Sequence, residues 1–361
     1  MKPANTYVII MAGGVGSRFW PMSRSSFPKQ FHDIMGRGKT LIQETVERFE
    51  LFVPSENIYI VTNERYLALI QEQCPQLSRD QILLEPVGRN TAPCIAYAAY
   101  KINKINPEAT FVVAPADHLI AREDEFLNYL RLGIDGAASA DYIMTLGITP
   151  TRPDTGYGYI QFLEDEENRG FYKVKTFTEK PNLEVAQSFL ESGDFVWNAG
   201  LFLFSGKTIL AAFEQHLPDM AELFQALTPA YYTDQEEAGI RTTYSTCKNI
   251  SMDYGIMEKA DNVYVIPADF GWSDLGTWGS VHDNSEKDFH QNAASGDVIA
   301  YESYNNIVQT TRADKVVVLK GLDGYIVVDT DDALLICKKD DEQFIKQIVG
   351  DLKADRDPKY T

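Results

Sequence analysis

The sequence predicts an α/β fold: a mixed, mainly parallel sheet of Rossmann-like winding, followed by a small β unit at the C-terminal end. Three observations predict it. Up to Pro150, short β-branched apolar runs alternate with amphipathic stretches, the pitch of βαβ units whose sheet is covered on both faces. From Thr151, "TGYGYIQF" and "YKVKTFTEKP" read as an antiparallel pair inserted into that pattern. After about residue 285, short strands follow one another, separated by Gly, Asn and Asp turns.

The elements follow in order. The β-branched run Tyr7–Ile10 is the first strand, and it leads straight into a glycine loop. Comparable apolar runs place strands at Ile58–Val61, Ile82–Leu84, Phe111–Val113 and Tyr142–Leu146. Amphipathic stretches between them predict helices near Leu41–Leu51, Arg65–Gln73, Ala92–Ile105 and Glu123–Ala140. Beyond the inserted pair, helices are expected at Glu184–Ser192, Lys207–Gln215 and Met220–Ala226, and a strand at Val263–Ile266. The last part carries "NNIVQT", "KVVVLKG" and "YIVVDTDDALLICKK", then a polar helix and the charged tail "KADRDPKYT". A left-handed β-helix-like coil is one form this unit could take. The chain has 361 residues, and we expect two domains, residues 1–284 carrying the catalytic site and 285–361 forming the small β domain and tail. No internal repeat or low-complexity segment is visible.

Composition narrows the function. Net charge is 33 − 52 = −19, which argues against non-specific nucleic-acid binding. Phosphorylated ligands stay open, because a few local cations or a metal reverse the local field. Cys74, Cys94, Cys247 and Cys337 are widely spaced without a CxxC, so zinc is not expected and the thiols read as reduced. No apolar run reaches the length of a membrane span. The short apolar run at the N-terminus ends in glycines rather than a small-residue cleavage site, so it reads as a core strand of a cytoplasmic protein.

Three groups of residues carry candidate chemistry. In "MAGGVGSRFWPMSRSSFPKQF", Gly13, Gly14 and Gly16 let the backbone approach a ligand and let successive N–H groups point into one concavity. A Rossmann fingerprint would need glycine at Phe19, and Pro21 favours a long loop over an immediate helix. Gly38-Lys39-Thr40 and Gly206-Lys207-Thr208 lack the earlier P-loop glycine, with Asp33 and Leu201 there, and read as helix starts. The bland reading of the glycines is a tight turn; Arg18 and Lys29 in the same loop favour a phosphate. Asp117 closes the strand "FVVAPADH" and Asp274 lies in "FGWSDLGTW". Two carboxylates near phosphates suit Mg²⁺, although each alone is commonly a cap or turn residue. His118 is given no role. Glu179 and Lys180 in "FTEKPN", and Asn198 in "VWNAGLFLF", suit a sugar phosphate, or equally a surface ion pair and a strand cap; spacing leaves both open. The glycine loop, "EPVGRNTAP" and "APADH" all fall at strand ends, where ligands of such sheets bind, so they are expected to converge on one cleft.

These pieces occur in one order with "TGYGYI", "SMDYGIMEK" and "GWSDLGTW". From about residue 6 to 282 the chain resembles the sugar-nucleotidyltransferase family, which has the nucleotide-diphospho-sugar transferase fold. "RFWP", "GRNTAP" and "WSDLGTW" point to its mannose-1-phosphate guanylyltransferase (GDP-mannose pyrophosphorylase) branch. The resemblance implies that Gly13, Gly14 and Gly16 wrap GTP, and that Arg18 and Lys29 hold the β- and γ-phosphates that leave as pyrophosphate. It implies Mg²⁺ on Asp117 and Asp274, mannose on Gly156, Glu179 and Asn198, and the sugar phosphate on Lys180. Guanine would sit near Glu85-Pro86 and Arg89-Asn90. The implied reaction joins mannose 1-phosphate to GTP, giving GDP-mannose and pyrophosphate. Long bacterial forms add a cupin-like isomerase domain beyond this match, and isomerase activity is not expected here.

Other readings are a related enzyme with another sugar or base, or a non-catalytic nucleotide-sugar sensor. A dehydrogenase is disfavoured by Phe19. The strands of the C-terminal unit alternate poorly, as though buried on more than one side, which a unit of that size would struggle to achieve alone. We expect no chemistry there, but packing against the catalytic domain and against a second copy in a homodimer. The alternative is a monomer whose tail covers the catalytic domain.

Overall fold

The computed structural model describes residues 2–361. By its contacts the chain forms two compact units. The first comprises residues up to Gly13, Val46–Ala116 and Ile120–Trp272. The second comprises Gly14–Thr45, Asp117–Leu119 and Ser273–Thr361. In chain order the strands up to the last of these segments are β1 (Thr6–Met11), β2 (Ile58–Asn63), β3 (Ile82–Glu85), β4 (Thr110–Pro115) and β5 (Leu119–Ile120). They continue with β6 (Ile143–Ile148), β7 (Gly158–Asn168), β8 (Phe171–Glu179), β9 (Phe195–Ser205), β10 (Val263–Ala268) and β11 (Trp272–Ser273).

The first unit is built on a nine-stranded sheet of order β3-β2-β1-β4-β9-β6-β10-β8-β7. Only β8 and β9 run against the other seven strands. The sheet is therefore mixed and mainly parallel, with the inserted antiparallel pair β7–β8 at one edge. Val8, Ile9 and Ile10 of β1 are fully buried, as β-branched residues in a strand covered on both faces should be. The helix Thr91–Ile105 is buried along nearly its whole length and shares a core with Ile9, Phe202 and Phe204. The helix Glu123–Ser139 lies against the opposite face. There a Cβ on Gly133 would come within 2.9 Å of Leu203, which alternates with Phe202 and Phe204 along β9.

Two features differ from expectation. "VWNAGLFLF" is the middle of β9, a full strand inserted antiparallel between β4 and β6. Its apolar residues, interrupted only at Asn198 and Gly200, do not alternate with polar ones and so carry no period to mark a strand. The helix Glu236–Thr246 and the π-helical turn Asp253–Met257 were not anticipated either. The Gly-Lys-Thr stretches do stand at helix starts, ahead of Leu41–Glu50 and within the first turn of Gly206–His216.

The second unit adds β12 (Ala293–Ser295), β13 (Asp297–Tyr301), β14 (Ile307–Thr310), β15 (Val316–Lys320), β16 (Tyr325–Asp329) and β17 (Leu334–Lys338). Successive strands alternate between a sheet β12-β14-β16-β17 and a sheet β13-β15. Each return pairs in parallel, and only β17 turns antiparallel. That is the winding of a β-helix. Its turns are tied by a buried amide ladder: Asn306 Nδ2 donates to Asn292 Oδ1 at 2.9 Å, and Tyr325 N donates to Asn306 Oδ1 at 2.8 Å. The core of this unit joins Phe19, Trp20 and Leu41 of the glycine-loop segment to Trp278, Ile307, Ile326, Ile345 and Val349. All four cysteines are unpaired. Among the described residues no helix is long and apolar enough to cross a membrane.

Candidate active site

In the second unit, three of the singled-out residues, Lys29, Asp117 and Asp274, come together around one ammonium. Lys29 is 3% exposed, and its Nζ donates to Asp117 Oδ2 at 3.0 Å, Asp117 O at 3.0 Å and Asp274 O at 2.8 Å. All three of its protons are thereby used. Its Nζ also stands 5.2 Å over the Phe19 ring. The loop allows this because Gly16 has φ 72°. A Cβ there would lie 2.5 Å from Lys29 Cβ, so any larger residue would push the lysine away. A Cβ on Gly14 would meet nothing within 4 Å, which leaves that stretch of backbone open to a ligand. Burial works to raise the Asp117 carboxyl, but Lys29 and His118 beside it hold it below the usual range. Asp274 Oδ1 accepts from Gly276 N at 2.9 Å, which fixes the turn after it. Arg18 is half-buried, and its Nε donates to Gln343 Oε1 at 2.9 Å.

Two further groups form in the first unit. Glu85, at the end of β3, is 4% exposed. Its Oε1 accepts from the Tyr244 hydroxyl at 2.9 Å, and its Oε2 lies 3.5 Å from where a Cβ on Gly13 would stand. Burial pushes this carboxyl up to about 7, with the Tyr244 hydrogen bond opposing. Arg89 Nε donates to Tyr244 O at 3.2 Å, and Asn90, at φ 70°, caps the helix Thr91–Ile105 through its side chain. So Glu85 and Arg89 meet at Tyr244, with Gly13 beside Glu85 and Asn90 next to Arg89 in the chain.

The other group lies on β7, β8 and β9. Gly158 faces Glu179 across the β7–β8 ladder, and a Cβ on Gly158 would collide with Glu179 Oε2 and sit 3.3 Å from Asn198 Cβ. Glu179 pairs with Lys180, whose own N–H donates to Tyr157 O at 3.2 Å. Gly156 donates its N–H to Asp154 Oδ1 at 2.8 Å. Asn198 is held at both ends: Nδ2 donates to Asp253 Oδ1 at 2.9 Å, and Oδ1 accepts from Gly200 N at 3.0 Å. Burial, then the nearby Glu179, raises the Asp253 carboxyl. Asp253 was given no role from sequence, although "SMDYGIMEK" had been singled out. Only the fold, which turns this segment π-helical beside Asn198, makes it a neighbour of Glu179. Tyr244 was missed for the same reason, since it reaches Glu85 from 159 residues away.

A glycine loop with two acidic loops drawn together by a buried lysine in one unit, and a carboxylate–amide–lysine group on the mainly parallel sheet of the other, are in keeping with a nucleotide-transferring enzyme by class. A family model described as nucleotidyl transferase matches residues 7–291, and one described as MannoseP isomerase/GMP-like beta-helix domain matches residues 296–352. The chain belongs to the nucleotidyl transferase family. Among its curated relatives, the mannose-1-phosphate guanylyltransferase of Escherichia coli K12 is 37% identical over 98% of this chain and 75% of its own length. The alginate biosynthesis protein AlgA of Pseudomonas aeruginosa is 36% identical over 96% of this chain and 72% of its own. A crystal structure described as mannose-1-phosphate geranyltransferase from Thermus thermophilus is similar with a TM-score of 0.87 and 31% identity, over 97% of this chain and 99% of that one.

Proposed function

We infer that the chain transfers GMP from GTP to mannose 1-phosphate, giving GDP-mannose and pyrophosphate. Relatives matching nearly its whole length carry that activity in their names. The observation that carries the site is the buried Lys29 ammonium, which joins the Asp117 and Asp274 loops beside the glycine loop.

The phosphate oxygen of mannose 1-phosphate attacks the α-phosphorus of GTP in line. That oxygen is already anionic near neutral pH, so no general base is required. The barrier lies in bringing two polyanions together and aligning them. In this reading Gly13, Gly14 and Gly16 wrap the nucleotide, Arg18 faces its outer phosphates, and Lys29 favours them through its charge while its protons stay on Asp117 and Asp274. Lys180 takes the sugar phosphate, while Gly156, Glu179 and Asn198 hold mannose. Glu85, Arg89 and Asn90 read guanine. Guanine presents N1–H and N2–H side by side, and a carboxylate accepts both, which the other common bases cannot offer.

Asp117 and Asp274 are the groups that would hold Mg²⁺. No cluster of three or more metal-ligating side chains occurs among the described residues. Two hard carboxylate donors nevertheless fit Mg²⁺, which completes its shell with water and substrate phosphate. Asp117, held below the usual carboxyl range, is charged at neutral pH. When bound, the metal would offset the phosphate charge that the three cations leave.

The catalytic groups all fall within residues 1–284, and 285–361 carries none. We place the enzyme in the cytoplasm as a homodimer that does not bind nucleic acid. Supporting the dimer, β13 and β15 expose Ile299, Tyr301, Val316 and Val318 on their outer side. The function is tested by pyrophosphate release across a matrix of sugar 1-phosphates and nucleoside triphosphates. GTP with mannose 1-phosphate is expected to turn over fastest; a faster UTP or dTTP reaction with glucose 1-phosphate would assign a different enzyme of the family.

A further inference from the structure

The C-terminal unit touches the glycine-loop segment at the residue that matters most to it. The short 3₁₀ turn Lys339–Phe344 stands just before the helix Ile345–Asp355. Gln343 Oε1 in that turn accepts from Arg18 Nε at 2.9 Å. The preceding residue, Glu342, accepts from Gly279 N through Oε2 at 2.8 Å, at the start of the helix Trp278–Asn284 that follows the Asp274 loop. Two adjacent side chains therefore grip both segments.

The grip stands on a packed base. Phe19, next to Arg18, and Trp278, next to Gly279, have ring centroids 5.0 Å apart. Both lie in one core with Ile345 and Val349, which are 1% and 6% exposed. The glycine-loop segment is tied again further on. Trp20 Nε1 donates to Tyr360 O at 2.7 Å, and Arg24 makes a two-pronged pair with Asp332, Nη1 to Oδ2 at 2.8 Å and Nη2 to Oδ1 at 2.5 Å. A guanidinium has five donor hydrogens in a fixed fork. With Nε used on Gln343, both Nη groups remain for an anion, and the plane of the fork is set.

We propose that Gln343 is a positioning residue for the transfer reaction: it orients the Arg18 guanidinium for the nucleotide phosphates, in register with the Asp274 loop that Glu342 secures. This rests on the reading of Arg18 as a phosphate ligand. The C-terminal unit thus contributes to turnover without touching substrate.

The test is steady-state kinetics on the full chain with Gln343→Met, Gln343→Glu, Arg18→Ala and the double variant Arg18→Ala/Gln343→Met. Gln343 is exposed, so none of its changes disturbs a core. Gln343→Met keeps the length and removes the acceptor. It is expected to raise KM for GTP about five- to tenfold while KM for mannose 1-phosphate stays within about twofold. Gln343→Glu keeps an acceptor and is expected to stay near the parent. In the Arg18→Ala background, Gln343→Met is expected to add nothing. Parental kinetics in Gln343→Met beside a crippled Arg18→Ala would overturn the positioning role and leave Arg18 as a phosphate ligand. Additive losses in the double variant would also overturn it. A parental KM for GTP in Arg18→Ala would overturn both the reading of Arg18 and the proposal.

Discussion

Glu85 is almost wholly withdrawn from water, and one of its oxygens is already spoken for by Tyr244. Its carboxyl, raised by burial to about 7, is neutral below that pH and anionic above it. Only the anion accepts two adjacent N–H groups of guanine. Guanine binding should therefore strengthen as pH rises. Between pH 6 and 8 the ionised fraction of such a group grows about tenfold. We expect kcat/KM for GTP in the parent to gain about that factor relative to Glu85→Gln, whose amide does not titrate. Taking the ratio removes the titration of GTP itself. A parallel pH profile in the two proteins would exclude Glu85 from base recognition. At this scale the sequence showed the acidic residue and its motif but not its state. That state is set by burial in the fold, with the Tyr244 hydrogen bond opposing, and no local spacing reveals either.

Most strands and helices were legible because each carries a period that its burial requires. β1, β2, β3 and β4 stand where β-branched runs predicted them, and the helices between them begin and end within a few residues of expectation. β9 was not legible, since both its faces are covered and its apolar residues, interrupted only at Asn198 and Gly200, do not alternate with polar ones. The π-helical turn Asp253–Met257 was hidden too, and with it the Asp253–Asn198 pair. Arg18 stands on the 3₁₀ turn Ser17–Phe19, and Lys180 follows the last residue of β8. Because they ride on separate elements, they should affect different substrates. Lys180→Ala is expected to raise KM for mannose 1-phosphate more than that for GTP, by about tenfold or more. Arg18→Ala should do the reverse and weaken pyrophosphate in the reverse reaction. Equal effects on both substrates would rule out separate phosphate sites.

At the scale of the molecule, the β-helix leaves one side uncovered. Val318 pairs with Ile299 in the β13–β15 ladder, and they are 57% and 42% exposed. Poor alternation in "KVVVLKG" signalled strands wanting cover on two sides. It could not say that the inner cover of Leu319 comes from Val308 and Val327 of the same unit, while the glycine-loop segment covers the other face through Ile307 and Ile326. For the outer cover we expect a second copy. Sedimentation equilibrium on the full chain should give a dimer at micromolar concentration, and Ile299→Glu with Val318→Glu should give a monomer. A parent that stays monomeric would remove the dimer from the account.

The central claim is that the α-phosphorus of GTP is the one attacked, with the sugar phosphate as nucleophile. The fate of label tests it directly. GTP labelled at the α-phosphorus and GTP labelled at the γ-phosphorus are incubated separately with mannose 1-phosphate, Mg²⁺ and the full chain, and the products are separated. The α label should leave with GDP-mannose and the γ label with pyrophosphate, in equal amounts and only when mannose 1-phosphate is present. Recovery of the γ label on the sugar phosphate, or of the α label in free GMP or GDP with no sugar attached, would contradict the account.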